Sequence, residues 1–464
     1  MELLNDLEKN ILLMINLLSL IIIIFNVFLL FQNQKKVPFL HPGWLLNLLL
    51  IFYGFTTPLY LSFASNDVSK LNTYFVSVFT YDSFLKIFLL YILILITYTF
   101  CEIGIYYYLK DKKRIIVTKK SIINGWEKQS YKLTFFLLVT VLALVIFQNL
   151  YVLGGFSASE ILNKNLRYET VFGIPYTPLY QAIYLFWFHY LIKFDSKKIR
   201  YNFFYLTTYL IFTLFIIFMG TNLQILLVII GKIFILFAYN KEYLFKNWKP
   251  ITFILIILAS IFISVQNYRE LKVHDTQSFN MSDILKIPNL TDFETITGYI
   301  PGLIILNDEH ITHEYSFGDF ITEGLPNSLI TAVGVDKGNS LTKLVHDSHL
   351  INNTGMYTVT LPVNLYAGVG LVGMVLLSIF VYLLIFIAIY SCFKMGNKFI
   401  YIATIIFCTL FYLIRVGLNS WLGKIRLDLS NSILVLLISY LVYLMFKSYI
   451  YKTRGYLSSR KEIG

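Results

Sequence analysis

The stretch LVHDSHLINNTG, from Leu344 to Gly355, places His346, Asp347 and His349 within four residues. Histidine has an unperturbed pKa of about 6.5, so it is mostly neutral and basic at pH 7. A neighbouring carboxylate raises that basicity and fixes the tautomer. His349 oriented by Asp347 is therefore the first candidate for a general base, with Glu309 and Glu323 as carboxylate alternatives. The pairs HITH (His310, His313) and HDSH (His346, His349) share an i, i+3 spacing that on a helix puts both rings on one face. Neither is accompanied by a cysteine or an HExxH sequence, so no metal site is expected. His274 reads as a solvated histidine without a role.

A second set of side chains suits an anion. Arg167 lies in NLRYETVFG, Arg269 in QNYREL and Arg415 in YLIRVGLNSW. Guanidinium binds phosphate through paired, fixed donors. Each arginine could instead pair with a loop carboxylate or reach lipid headgroups. Lys424 and Arg426 follow Arg415 in the same region, and Arg426, well outside the bilayer, is the weakest case for an anion contact.

These residues must be positioned by elements built mostly of hydrocarbon. Of the 464 residues, 57% are hydrophobic and 14% charged, against about 25% charged in a soluble domain. Uninterrupted apolar runs fall near 11–31, 44–64, 84–109, 131–153, 177–194, 203–219, 222–239, 250–267, 363–392, 399–417 and 431–450. A bilayer span needs about 20 such residues. The flank of the first run, MELLNDLEKN, is acidic and no small-residue cleavage site follows, so it reads as a retained helix. Cys101, Cys392 and Cys408 lie far apart inside apolar runs and imply neither a disulfide framework nor a metal knuckle.

The net charge of +12 is distributed as a topology signal. Connections 32–43, 110–130, 193–200, 240–249 and 393–398 and the tail 447–464 are basic, whereas 1–10 and 268–360 are acidic. Lys and Arg accumulate on cytoplasmic loops. The expectation is an all-α polytopic membrane protein of about 11 transmembrane helices, N-terminus outside and C-terminus inside. The basic surplus is then no nucleic-acid footprint. Residues 1–267 form a bundle of about eight spans with a tight hairpin at 220–222, and 361–464 a bundle of about three. Between spans eight and nine, residues 268–360 form a large outer loop carrying five of the seven histidines. Its apolar pieces, Gly298 to Asn307 and Phe317 to Val335, are expected to lie along the membrane surface as a lid.

Several chemistries are missing. There is no Walker A loop and no GxGxxG after a strand, and the first outer loop, Ser65 to Ser83, has no DxD or ExD pair. That argues against an ordinary multispan, metal-dependent lipid-linked glycosyltransferase.

The landmarks that remain are VPFLHPGWLLNLLLIFY opening span two, LRY after a GG in an outer loop, and the GTN hairpin. With TLPVNLYAGVGLVGM (Thr360 to Met374) closing the large loop, they make a pattern that resembles the Wzy-type O-antigen and capsule repeat-unit polymerases. The resemblance covers most of the chain as topology with sparse motifs. It departs from the family at Thr221-Asn222, where an arginine is frequent, and at Asn364, where an acid is frequent.

The resemblance implies a metal-independent, cofactor-free glycosyltransferase of the bacterial cytoplasmic membrane. Its substrates would be polyprenyl-pyrophosphate-linked oligosaccharides, with polyprenyl pyrophosphate as leaving group. Arg167, Arg269 and Arg415 would stabilise that group, His349 with Asp347 would take the acceptor proton, and Tyr168, Tyr268 and Tyr366 would stack on sugars. A flippase and a chain-length regulator would be partners, and nucleic acid would not. An O-antigen ligase shares the architecture. A flippase or transporter of lipid-linked sugars is the reading from another class.

Overall fold

The computed structural model of the chain describes residues 4–63, 73–112, 207, 222–239, 241–249, 294–325, 329–330, 332, 338, 340–348, 358–395 and 399–461. The regular elements among them are helices: α1 (Asp6–Gln34), α2 (Pro42–Phe63), α3 (Thr73–Val78), α4 (Tyr81–Lys110), α5 (Asn222–Tyr239), α6 (Lys241–Lys246), α7 (Glu294–Asn307), α8 (Glu309–Glu314), α9 (Phe317–Gly324), α10 (Leu341–Ser348), α11 (Leu361–Met395) and α12 (Ile400–Lys461). Five of the described segments are long and apolar enough to cross a bilayer: α1, α2, α4, α11 and residues Ile400–Asn431 of α12. The chain is a helical membrane protein. The expected spans at 131–153, 177–194 and 250–267 lie outside the described residues, as does 203–219 apart from Thr207.

Two compact units divide the chain, Met1–Ile116 with Phe279–Ile425, and Val117–Ser278 with Arg426–Gly464. In the second unit α5 covers the expected seventh span. The Lys241 ammonium after it lies 4.8 Å from the Phe237 ring and 5.7 Å from the Phe245 ring.

The first unit shows how a lipid environment inverts a helix. A capping box starts α1: Asn5 accepts the Glu8 backbone N–H at 2.9 Å, and the Glu8 carboxylate accepts the Asn5 N–H at 2.8 Å. Beyond it, Asn16, Ser19, Asn26 and Asn33 are buried, while Leu17, Leu18, Ile21, Ile24 and Phe28 are exposed. In hydrocarbon the apolar face gains nothing by turning inward, and the amides must find partners within the protein. The Asn26 amide donates to Thr99 Oγ1 on α4 at 2.9 Å. α4 itself packs against α1, α2, α7 and α11, and is the axis of the unit.

One loop segment differs from expectation. Residues Gly298 to Asn307 do not lie along a surface; Tyr299, Ile300, Leu303, Ile304 and Ile305 of α7 are wholly buried. The Tyr299 hydroxyl donates to the Gly54 carbonyl at 2.6 Å, and its ring stacks on Phe84 and Tyr91 at 5.0 and 5.8 Å. Thr80 and Ser83 hydroxyls both donate to Asn307 Oδ1, pinning the end of α7 to the start of α4. With no charge between Thr297 and Asp308, α7 can occupy the interior.

Two helices are broken by glycines with positive φ: Gly370 (φ 69°, ψ −178°) in α11 and Gly417 (φ 80°, ψ 175°) in α12. This region is open essentially to glycine alone. At Gly417 the chain folds back. Trp421 Nε1 donates to Thr409 Oγ1 at 3.2 Å across twelve residues, a separation of about 18 Å on a straight helix. Lys424, also twelve residues on, places its ammonium 5.6 Å from the Tyr412 ring. The connection expected between the runs at 399–417 and 431–450 is thus a one-glycine reversal followed directly by helix.

Candidate functional site

The break at Gly417 gathers polar groups from three elements. The first N–H after it, that of Leu418, donates to Asn364 Oδ1 of α11 at 3.1 Å. Asn364 is thereby a cap supplied from another helix. A Cβ at Gly417 would collide with that Asn364 side chain, so glycine is required there by both backbone and space. Two residues before the break, Arg415 is half-buried with its guanidinium carbon 5.8 Å from the Phe411 ring.

Two residues after it, the Asn419 amide lies 3.3 Å from Glu323 Oε2 and 3.4 Å from the Tyr315 hydroxyl. Tyr315 donates to the same carboxylate oxygen at 2.6 Å, and Ser340 donates to Oε1 at 2.8 Å. Glu323 thus receives three donors: from Tyr315, the C-cap of α8, from Asn419 of α12 and from Ser340, just before α10. Burial, with the Glu323 carboxylate beside it, raises the Tyr315 hydroxyl above its ordinary pKa, so the phenol keeps its proton and acts as donor. A capping box of Ser316 and Asp319 fixes α9, which carries Glu323.

Tyr366 lies two residues beyond Asn364, half-buried, with the Lys86 ammonium 4.8 Å from its ring centre. Asp347 is exposed on α10. His349, Arg167, Arg269, Tyr168 and Tyr268 lie outside the described residues. Of the residues chosen from sequence, the structure therefore describes Arg415, Tyr366 and Asp347 and brings Glu323 into a network. Asn364 and Asn419 were missed as participants; the signal was an amide at the edge of an apolar run, four residues before Gly368 and two after Gly417.

A second polar cluster lies toward the other end of α4. Lys86 and Glu102 are sixteen residues apart on that helix, about 24 Å. Glu102 is wholly buried. It accepts from the Tyr382 hydroxyl and from the Asn33 amide, the latter at 2.5 Å, and its Oε1 stands 3.5 Å from His41 Nδ1. The Asn33 amide also donates to the Glu102 carbonyl at 3.0 Å. Gly43 N–H donates to His41 Nδ1 at 3.1 Å. Gly43 has no room for a side chain, since a Cβ would strike Tyr382 and Glu102. Burial pushes the His41 imidazole below its usual pKa, with the Glu102 carboxylate opposing that shift. Donors from Asn33 of α1 and Tyr382 of α11 meet at the Glu102 carboxylate of α4, with His41, at the entry to α2, beside it. The sequence shows Asn33 just past one apolar run and Asn47 inside the next, but not their partners, Glu102 for Asn33 and the Tyr382 hydroxyl, at 3.5 Å, for Asn47.

Among the described residues no three His, Cys, Asp or Glu side chains gather closely enough to hold a metal ion. No protein-family model, curated protein or solved structure matches the chain.

Proposed function

We propose that the chain polymerises polyprenyl-pyrophosphate-linked oligosaccharide repeat units into a surface polysaccharide, O-antigen or capsule, at the outer face of a bacterial cytoplasmic membrane. The observation that carries this reading is the polar cluster at the Gly417 reversal. Two broken helices there join hydrophilic loop helices at the end that the charge pattern turns outward. Backbone breaks at membrane depth are tolerated where they face protein or a water-filled cavity, and such breaks line substrate sites in other membrane proteins.

In the reaction, a hydroxyl oxygen of the incoming repeat unit attacks the anomeric carbon of the donor chain. The bond from that carbon to the pyrophosphate oxygen breaks, and its electron pair leaves with the polyprenyl pyrophosphate. The hydroxyl proton passes to His349, oriented by Asp347. Arg167, Arg269 and Arg415 neutralise the departing charge, a stabilisation that grows in the transition state. Tyr168, Tyr268 and Tyr366 offer ring faces to the sugars. A flippase supplies the lipid-linked units, and a chain-length regulator sets where growth stops.

One observation favours transport of the same lipid-linked sugars instead. Glu102 and His41 are ionisable groups buried at a helix junction, and intramembrane charges mark transport pathways in many carriers. Their donors close around the carboxylate rather than lining a route, so the polymerase reading stands first.

The test is a deletion strain. Polysaccharide capped at one repeat unit supports polymerisation, and lipid-linked units trapped inside the cell support transport. Arg167→Ala and Arg269→Ala should abolish long chains at unchanged membrane abundance. Normal chain lengths in both variants would remove the leaving-group role.

A further inference from the structure

Lys86 is a cation on a spanning helix, five residues from Tyr81 where α4 begins, about 8 Å along its axis. It is exposed, and no carboxylate among the described residues lies within ion-pair distance of it. Charges within spans are rare and ordinarily pair with one another. Here the ammonium instead rests over the Tyr366 ring at 4.8 Å, a cation–π contact that orients the charge without neutralising it.

The ring is held on a fixed platform. Residues 361–369, before the Gly370 break, are tied at Asn364 to the Leu418 N–H. At Gly368 and Val363 they leave no space against Phe320 and Gly302. A lysine that only reaches for headgroups needs no such support. Leu89, one turn on from Lys86 in α4, and Leu371 and Val372, just past the Gly370 break in α11, are exposed apolar chains, 47%, 51% and 73% accessible. The two helices pack against each other, so the cation sits where their seam meets lipid.

We propose that Lys86, held over Tyr366, is a docking site for the pyrophosphate of a membrane-embedded polyprenyl carrier entering from the bilayer between α4 and α11. The carrier's identity rests on the polymerase reading; the recognition of an amphiphile's phosphate at lipid depth rests on the seam itself. The ammonium meets the phosphate, the apolar chains meet the lipid tail, and Tyr366 keeps the ammonium from turning away.

The test measures binding of farnesyl pyrophosphate to the purified full chain in phosphatidylcholine nanodiscs, by native mass spectrometry. Lys86→Gln should weaken binding about tenfold or more, Lys86→Arg should retain it, and Tyr366→Leu should weaken it where Tyr366→Phe does not. Inorganic pyrophosphate should compete poorly, and adding phosphatidylglycerol to the nanodisc should leave the affinity unchanged. Equal binding by wild type and Lys86→Gln overturns the site. So does displacement by phosphatidylglycerol or inorganic pyrophosphate as effective as by farnesyl pyrophosphate itself. If Lys86→Gln unfolds, the two Tyr366 variants decide in its place. Lys86-dependent binding by a chain that never elongates polysaccharide upholds the docking site while the polymerase reading fails. Normal binding and elongation in Lys86→Gln do the reverse.

Discussion

Asn364 Oδ1 accepts the Leu418 backbone N–H at 3.1 Å, so one broken helix supplies the cap for the other. The contact joins residues 54 apart in sequence and fixes where α12 resumes after its reversal. Asn364→Ala removes the cap and leaves a buried donor, costing about 1–3 kcal/mol. Asn364→Asp keeps an acceptor and should stay near wild type in thermal unfolding of the detergent-solubilised chain. Equal melting of all three proteins contradicts the capping role.

The two glycine breaks should differ in tolerance. Gly370→Ala meets open space and incurs only the backbone strain of its positive φ, about 1–3 kcal/mol. Gly417→Ala adds a collision with Asn364 to similar strain. Membrane-inserted yield and melting temperature should therefore fall further for Gly417→Ala. The opposite order contradicts the reversal at Gly417.

At the buried cluster, Tyr382→Phe withdraws a donor from Glu102, whose carboxylate then lacks one of its partners. The expected loss is about 1–3 kcal/mol, with the larger part on the side of the unpaired acceptor.

His41 predicts a pH dependence. Its folded-state pKa is lowered by burial, so as pH falls through about 6.5 the unfolded chain takes up a proton before the folded one does. The stability linked to His41 is complete above that pH and declines below it. Melting curves from pH 7.5 to 5.5 should show a steeper decline for wild type than for His41→Asn. Parallel curves contradict the burial of a neutral imidazole.

Orientation can be read by labelling single cysteines from outside the cell with a membrane-impermeant maleimide. Ser316→Cys, before α9, should react on intact cells with a permeabilised outer layer, and Asp111→Cys, after α4, only after lysis. The reversed pattern overturns the charge-based topology.

Much of the first unit was legible because hydrocarbon runs leave little freedom. The runs at 11–31, 44–64 and 84–109 became α1, α2 and α4 with ends displaced by only a few residues. The reversal at Gly417 was not legible. Leu418 to Ser430 holds three charges and reads as a loop, yet a single glycine at φ 80° turns the chain and lets helix continue through them. Nor was the burial of α7: its apolar pattern suits a surface helix or an interior one, and only the contacts of Tyr299 with Gly54, Phe84 and Tyr91 decide between them. Glu102 could be read as a charge in a span, but not as the meeting point of Asn33, His41 and Tyr382, since no local pattern encodes partners so far apart. In the candidate site, Glu323 was named as a carboxylate alternative, while its donors Tyr315, Ser340 and Asn419 come from three separate segments.

The central claim is glycosyl transfer between two lipid-linked units. It is tested most directly by giving the purified full chain, in nanodiscs, only lipid-linked repeat units and measuring both chain length and released polyprenyl pyrophosphate. The account predicts products of two or more repeats, with one polyprenyl pyrophosphate released for each linkage formed. Units that stay single, with no pyrophosphate released, while the same preparation carries them across a bilayer would contradict it.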